Sequence, residues 1–241
     1  MKHFFSVCTA FFVAAAVGAM AAAQEPAKKT IWDASLYTQE QAARGASTFA
    51  ATCSNCHGAN LQGNNAKALV GDQFFRDFQQ RTVEYLFNFV SKNMPNNAPG
   101  TLDPTTYLDL TAFILSRNEV PAGSAPFTAT AGVGVEILPK GGAAKELADK
   151  TLARVVGCLT KAGAGWTVTS ATAPERADAS GAAASDGSRA LGDRSYPLLF
   201  VLTRLDRMAG HRIFVKGLLV GEGGADGINV TEVGSVSPMC Q

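Results

Sequence analysis

The residues in this chain whose types and spacing suggest chemistry are Cys53-Ser54-Asn55-Cys56-His57. Two thiols three positions apart, followed at once by an imidazole, have the spacing of covalent haem attachment. The thiols can add to the two vinyl groups of one haem, and the histidine can place a ring nitrogen on its iron from the same short segment. Three other chemistries compete for these residues. A thioredoxin-like dithiol follows a strand and opens a helix, whereas here a helical pattern comes first. A zinc site needs four ligands, and beyond the motif only His211, Cys158, Cys240 and carboxylates remain, with no second paired motif. A plain structural disulfide leaves His57 without a purpose.

A six-coordinate iron needs a second axial ligand, and the inventory is short. Beyond residues 1–23 the methionines are Met94, Met208 and Met239, and the only histidine besides His57 is His211. Met94 opens the stretch Met94-Pro95-Asn96-Asn97-Ala98-Pro99-Gly100, a loop stiffened by two prolines that can hold a thioether at the iron. The competing role for Met94 is that of a flexible core filler. Met/His ligation raises the reduction potential and closes the iron to substrate, which favours electron transfer over oxygen chemistry.

The elements that must position these groups follow from periodicity and caps. Thr38-Gln39-Glu40-Gln41 has the form of a capping box, with Ala42, Ala46, Phe49 and Cys53 following at helical spacing. Val83, Leu86, Phe87 and Val90 mark a second helix. Leu108, Ala112 and Leu115, beside Tyr107, Leu110 and Ile114, mark a third. Asp103-Pro104 supplies that last helix with an N-cap and a proline at its first position. Residues 58–80, rich in Gly and Asn, read as a long loop that needs something to wrap around. From Val120 the chain turns to Pro, Gly, Ala and Thr with weak periodicity, so 121–152 reads as a linker. Five strand-like runs follow, at 154–160, 166–171, 196–203, 211–220 and 228–233, interrupted by a polar insertion at 173–193. His211 reads as a surface or edge histidine, and Arg204, Arg207 and Arg212 read as an ordinary solvated face.

Composition sets the outer bounds. Of 241 residues, 46% are hydrophobic and 17% charged, which excludes a disordered chain. With 21 Lys+Arg against 20 Asp+Glu there is no basic surplus to neutralise phosphates, so neither nucleic acid nor an anionic membrane is expected as a partner. Lys2 and His3 precede the apolar run 4–17, and the small-x-small pair Ala21 and Ala23 places a cleavage site near the Ala23–Gln24 bond, so 1–23 reads as a secretory signal peptide. Its apolar core is too short for a comfortable membrane span, and Cys8 is lost with it. The destination is oxidising, where Cys158 and Cys240 are expected to pair. Closing so long a loop stabilises by about 4 kcal/mol in the chain-entropy model.

Residues 39–117 resemble a class I c-type cytochrome, close to the small monohaem domains that accompany quinoprotein dehydrogenases and terminal oxidases. The matching elements are Gly45 and Phe49, Cys53-x-x-Cys56-His57-Gly58 with Leu61, Leu69-x-Gly71, Met94-Pro95, and Tyr107-x-Asp109-Leu110-x-Ala112-Phe113-Ile114-Leu115. The resemblance implies that the first and last helices cross closely, with Gly45 admitting an aromatic such as Phe113. It departs from the family where a proline often supplies the carbonyl that orients the axial histidine, since Lys67-Ala68 stands there. Residues 153–241 are similar to the small OB-like β-barrel modules of bacterial secreted proteins.

The expected architecture is an all-α cytochrome c domain at 24–120, a linker at 121–152, and a small all-β, OB-like barrel domain at 153–241. The expected function is that of a periplasmic electron carrier rather than an enzyme. It holds one covalent haem c and its iron through Cys53, Cys56, His57 and Met94. Redox proteins are its expected partners, a quinoprotein dehydrogenase or terminal oxidase among them. The alternative is a haem-based redox sensor or ligand-binding protein whose β module recognises a partner.

Overall fold

A computed structural model describes residues 29–142, 146–177 and 186–240. Residues 1–23, read from sequence as a signal peptide, lie outside the described residues, as do 178–185 of the polar insertion. Among the described residues no helix is long and apolar enough to cross a membrane.

Among the described residues, five helices make the first half: α1 (Gln39–Thr52), α2 (Ser54–His57), α3 (Gly71–Phe78), α4 (Val83–Asn93) and α5 (Pro104–Arg117). Short polar side chains start three of them. The Thr38, Thr82 and Asp103 side chains accept from the N–H groups of Gln41, Tyr85 and Thr106, each satisfying one of the free donors of a first turn. α1 and α5 cross at Gly45. A Cβ there would run into the Asp109 carbonyl and the Phe113 side chain, so the approach needs glycine. Arg44 clamps the same crossing through two hydrogen bonds to the Asp109 carboxylate, at 2.8 and 2.9 Å. The rings of Phe49 and Phe113 meet beneath it, 5.3 Å between centroids.

Three sequence expectations are corrected here. The capping box is only half made: the Gln41 amide is buried and exchanges both of its hydrogen bonds with the backbone of Phe127, at 3.0 and 2.6 Å. The stretch 58–80 contains a helix, α3, because Phe74, Phe75 and Phe78 fall on one face and bury together. The first part of the expected linker is packed on the helices, with Phe127, Val135 and Ile137 buried in the same core as Phe49 and Leu115. Glu136 bridges to both Thr30 and Thr82. Widely spaced apolar anchors give this strap no periodicity, yet each one removes enough apolar surface from water to hold it down.

The second half contains β1 (Leu152–Ala162), β2 (Gly165–Ala171), β3 (Glu175–Arg176), β4 (Arg194–Leu199), β5 (Arg212–Val220) and β6 (Gly227–Ser237). β1 pairs with β2 and β5 in antiparallel fashion, β2 with β4, and β5 with β6, while β4 and β6 run parallel. These pairings form a ring, with the short β3 added at the outer end of β1. Val155, Leu159, Ile213, Val215 and Leu219 point to one core. Cys158 and Cys240 form the expected disulfide, their Cα atoms 5.4 Å apart. His211 is half-buried and bonds Ser235 Oγ through Nδ1 at 2.9 Å. Arg204 and Arg207 are exposed as expected. Arg212 is buried although the alternation of β5 turns it away from the Ile213 and Val215 core: on that opposite face it donates to the Arg189 carbonyl.

Candidate functional site

All four predicted site residues line one cavity of about 520 Å³ in the helical half, a size within the usual ligand range of about 300–1,000 Å³. Its walls are aromatic and aliphatic, with Phe49, Phe78, Leu86 and Ile114 among them. No Asp, Glu, Lys or Arg is among its lining residues, and its polar contributors include Asn55, Asn65, Asn96 and Asn97, all exposed.

α1 delivers the thiols. Cys53 ends it, its N–H bonded to the Phe49 carbonyl, and the single turn of α2 follows so that Cys56 and His57 come round beside it. Cys53 is half-buried and Cys56 exposed, and neither is in a disulfide, which sets aside the structural-disulfide reading. Burial, with the neighbouring Cys56 adding to it, pushes the Cys53 thiol up from its ordinary value. The remaining candidates for a zinc cage are elsewhere, since Cys158 and Cys240 are bonded to each other and His211 is bonded to Ser235.

The carbonyl that orients His57 belongs to Lys67, 2.8 Å from Nδ1. A carbonyl can only accept, so Nδ1 carries the proton and Nε2 keeps its lone pair for a metal. The missing proline is therefore replaced by the same backbone function. The Lys67 peptide is steady because its loop is tied back, Ala66 N–H to the Cys56 carbonyl at 3.0 Å and Leu69 N–H to the Leu61 carbonyl at 2.8 Å.

Met94 caps α4 across the cavity, with its N–H on the Val90 carbonyl. Its own carbonyl accepts from the Tyr107 hydroxyl at 2.7 Å, and that hydroxyl accepts from the Leu102 N–H at 3.3 Å. Tyr107 is a positioning residue that sequence reasoning placed in the core without a role. The available signal was its type: a buried tyrosine hydroxyl requires a partner. Of the other described methionines, Met208 packs on the β core and Met239 is 62% exposed.

An apolar cavity with two unpaired thiols, an imidazole of fixed tautomer on one wall and a thioether on another fits a haem. Residues 40–114 match the family model described as cytochrome C oxidase, cbb3-type, subunit III. No curated protein and no solved structure matches the chain. This part of the chain is thus a monohaem class I c-type cytochrome domain that carries covalently bound haem c with its iron, and the chain is a haem-based electron-transfer protein.

Proposed function

We propose that the protein is a periplasmic one-electron shuttle in which Cys53 and Cys56 would tether the haem, His57 and Met94 would hold its iron, and the β half docks a redox partner. The reading is carried by one observation: all four side chains line a single cavity in which His57 is fixed by the Lys67 carbonyl and the Met94 backbone by Tyr107. Bound haem supplies a one-electron ferric/ferrous couple. The chain's own contribution is to hold both axial groups in place, so that little rearranges when the charge changes, and to keep water from the apolar walls. A pinned Met94 argues against the open or labile iron that sensing requires.

In this reading 1–23 are removed on export, and the strap 121–138 belongs with the cytochrome domain at 24–120. The ring of strand pairings supports the small-barrel reading of 153–241. Donor and acceptor are a dehydrogenase or respiratory complex on one side and an oxidase or other cytochrome on the other, and the matched family's description supports a terminal oxidase. Residues 24–241 hold 20 basic and 20 acidic side chains, and no charged residue lines the cavity. Approach of a partner is therefore not steered at long range, and recognition falls to local complementarity. Phe200 and Leu202, 79% and 99% exposed after β4, are apolar groups of the β half available for it.

Met94→Ala tests the ligand set. The weak near-infrared sulfur-to-iron band of the ferric protein should vanish and the midpoint potential should fall, because the thioether favours ferrous iron. A wild-type ferric protein without that band at neutral pH would show that Met94 is not the ligand.

A further inference from the structure

We infer that Arg176, on β3, is a positioning residue for His57 that acts across the junction of the two halves through α3; this rests on the reading of His57 as the axial ligand. The last carbonyls of a helix have no partner within it and carry the negative end of its dipole. At the end of α3 the β half supplies the missing donors. Arg176 Nε donates to the Gln79 carbonyl at 2.8 Å, and Nη2 donates to those of Asp77 and Arg76 at 2.6 and 3.0 Å. The Arg176 backbone N–H donates to Gln80 Oε1 at 2.7 Å. A planar guanidinium delivers these donors in one fixed fork, which an ammonium cannot.

The helix held in this way reaches the site twice. Phe78 forms part of the cavity wall, its ring packed at a tilt against Phe74 with centroids 5.2 Å apart. The Asp77 carboxylate accepts from Lys67 Nζ at 3.0 Å and from Gln73 Nε2 at 2.9 Å, and it is the carbonyl of this same Lys67 that holds His57 Nδ1. Contacts therefore run without a break from β3 to the imidazole. The exposed Lys67–Asp77 pair adds little stability; its effect is geometric, tethering the loop that carries the acceptor to a helix whose end Arg176 secures. A firm bond from Nδ1–H makes the imidazole a stronger donor and favours ferric iron. Loosening it raises the potential, so the seating of the β half is felt at the haem.

The test uses the full-length holoprotein and two readouts, the midpoint potential and the His57 Nδ1–H resonance of the ferrous protein by NMR. Arg176→Ala should raise the potential and move the resonance. Asp77→Asn should shift both the same way, and the double variant no further than the larger single change, because the two residues act in series. Arg176→Lys should give a smaller shift, and it carries the test if the alanine variant does not fold. Glu222→Gln breaks another junction contact, Arg76 Nε to Glu222 Oε1 at 3.3 Å, and should leave both readouts at wild type. Wild-type values in the Arg176 variants, or an equal shift in Glu222→Gln, would overturn the inference. Absence of an axial imidazole resonance from the wild-type protein would instead overturn the assignment of His57.

Discussion

In the helical half the largest buried side chains, among them Tyr37, Phe49, Phe74 and Phe127, belong to a core that adjoins a cavity of about 520 Å³. In the β half the strands close their hydrogen bonds on one another over Val155, Leu159, Ile213 and Val215, and a disulfide ties β1 to the C-terminal end. Helices of 4 to 14 residues are marginal in isolation and depend on tertiary packing. Side chains that line a cavity of this size gain dispersion contacts from the group that fills it. The cytochrome half thus needs its haem as structure as well as chemistry, whereas the β half completes its core from the chain alone.

The largest effect should come from denying the first half its cofactor. In Cys53→Ser/Cys56→Ser, backbone amides of α1 and α5 should lose their protection against hydrogen exchange while those of β1 and β5 keep theirs. Equal protection in both halves would erase the comparison. Next comes the β half's own staple: Cys240→Ser should lower its stability by about 4 kcal/mol in the chain-entropy account. Denaturant unfolding followed at Trp166 measures this, and the haem spectrum should not change. A smaller effect, about 1 kcal/mol for each hydrogen bond lost, is expected for Tyr107→Phe, which removes the donor to the Met94 carbonyl and the acceptor of the Leu102 N–H. On heating, the near-infrared band should be lost at a lower temperature than in wild type, with the β half unaffected. An unchanged melting of that band would mean that the loop holds Met94 without Tyr107.

Much of the architecture was legible because its signals are local. The caps at Thr38 and Asp103 were readable from residue type and spacing. So were the five long strands. The close α1–α5 crossing at Gly45 came instead from the resemblance to the cytochrome family, and the pairing of Cys158 with Cys240 from the cysteine count. α3 escaped notice although Phe74, Phe75 and Phe78 stand at helical spacing, because eight residues in a Gly- and Asn-rich stretch read as loop. The strap was missed for the opposite reason: its anchors Phe127, Val135 and Ile137 have no period, and only the presence of a helical surface to cover makes them a packed segment.

The sequence by itself determined the chemistry and the types of element, since Cys53, Cys56 and His57 are set by a spacing of a few residues and amphipathic periods are properties of short windows. Tertiary structure alone decided which groups complete the site. That Lys67 lends its carbonyl to His57, that Tyr107 holds Met94, that Gln41 turns to Phe127 and that Arg176 caps α3 are contacts between residues 10 to 100 positions apart. Backbone carbonyls and helix ends are alike in every sequence. Which of them meets a given donor is settled only when packing brings the segments together.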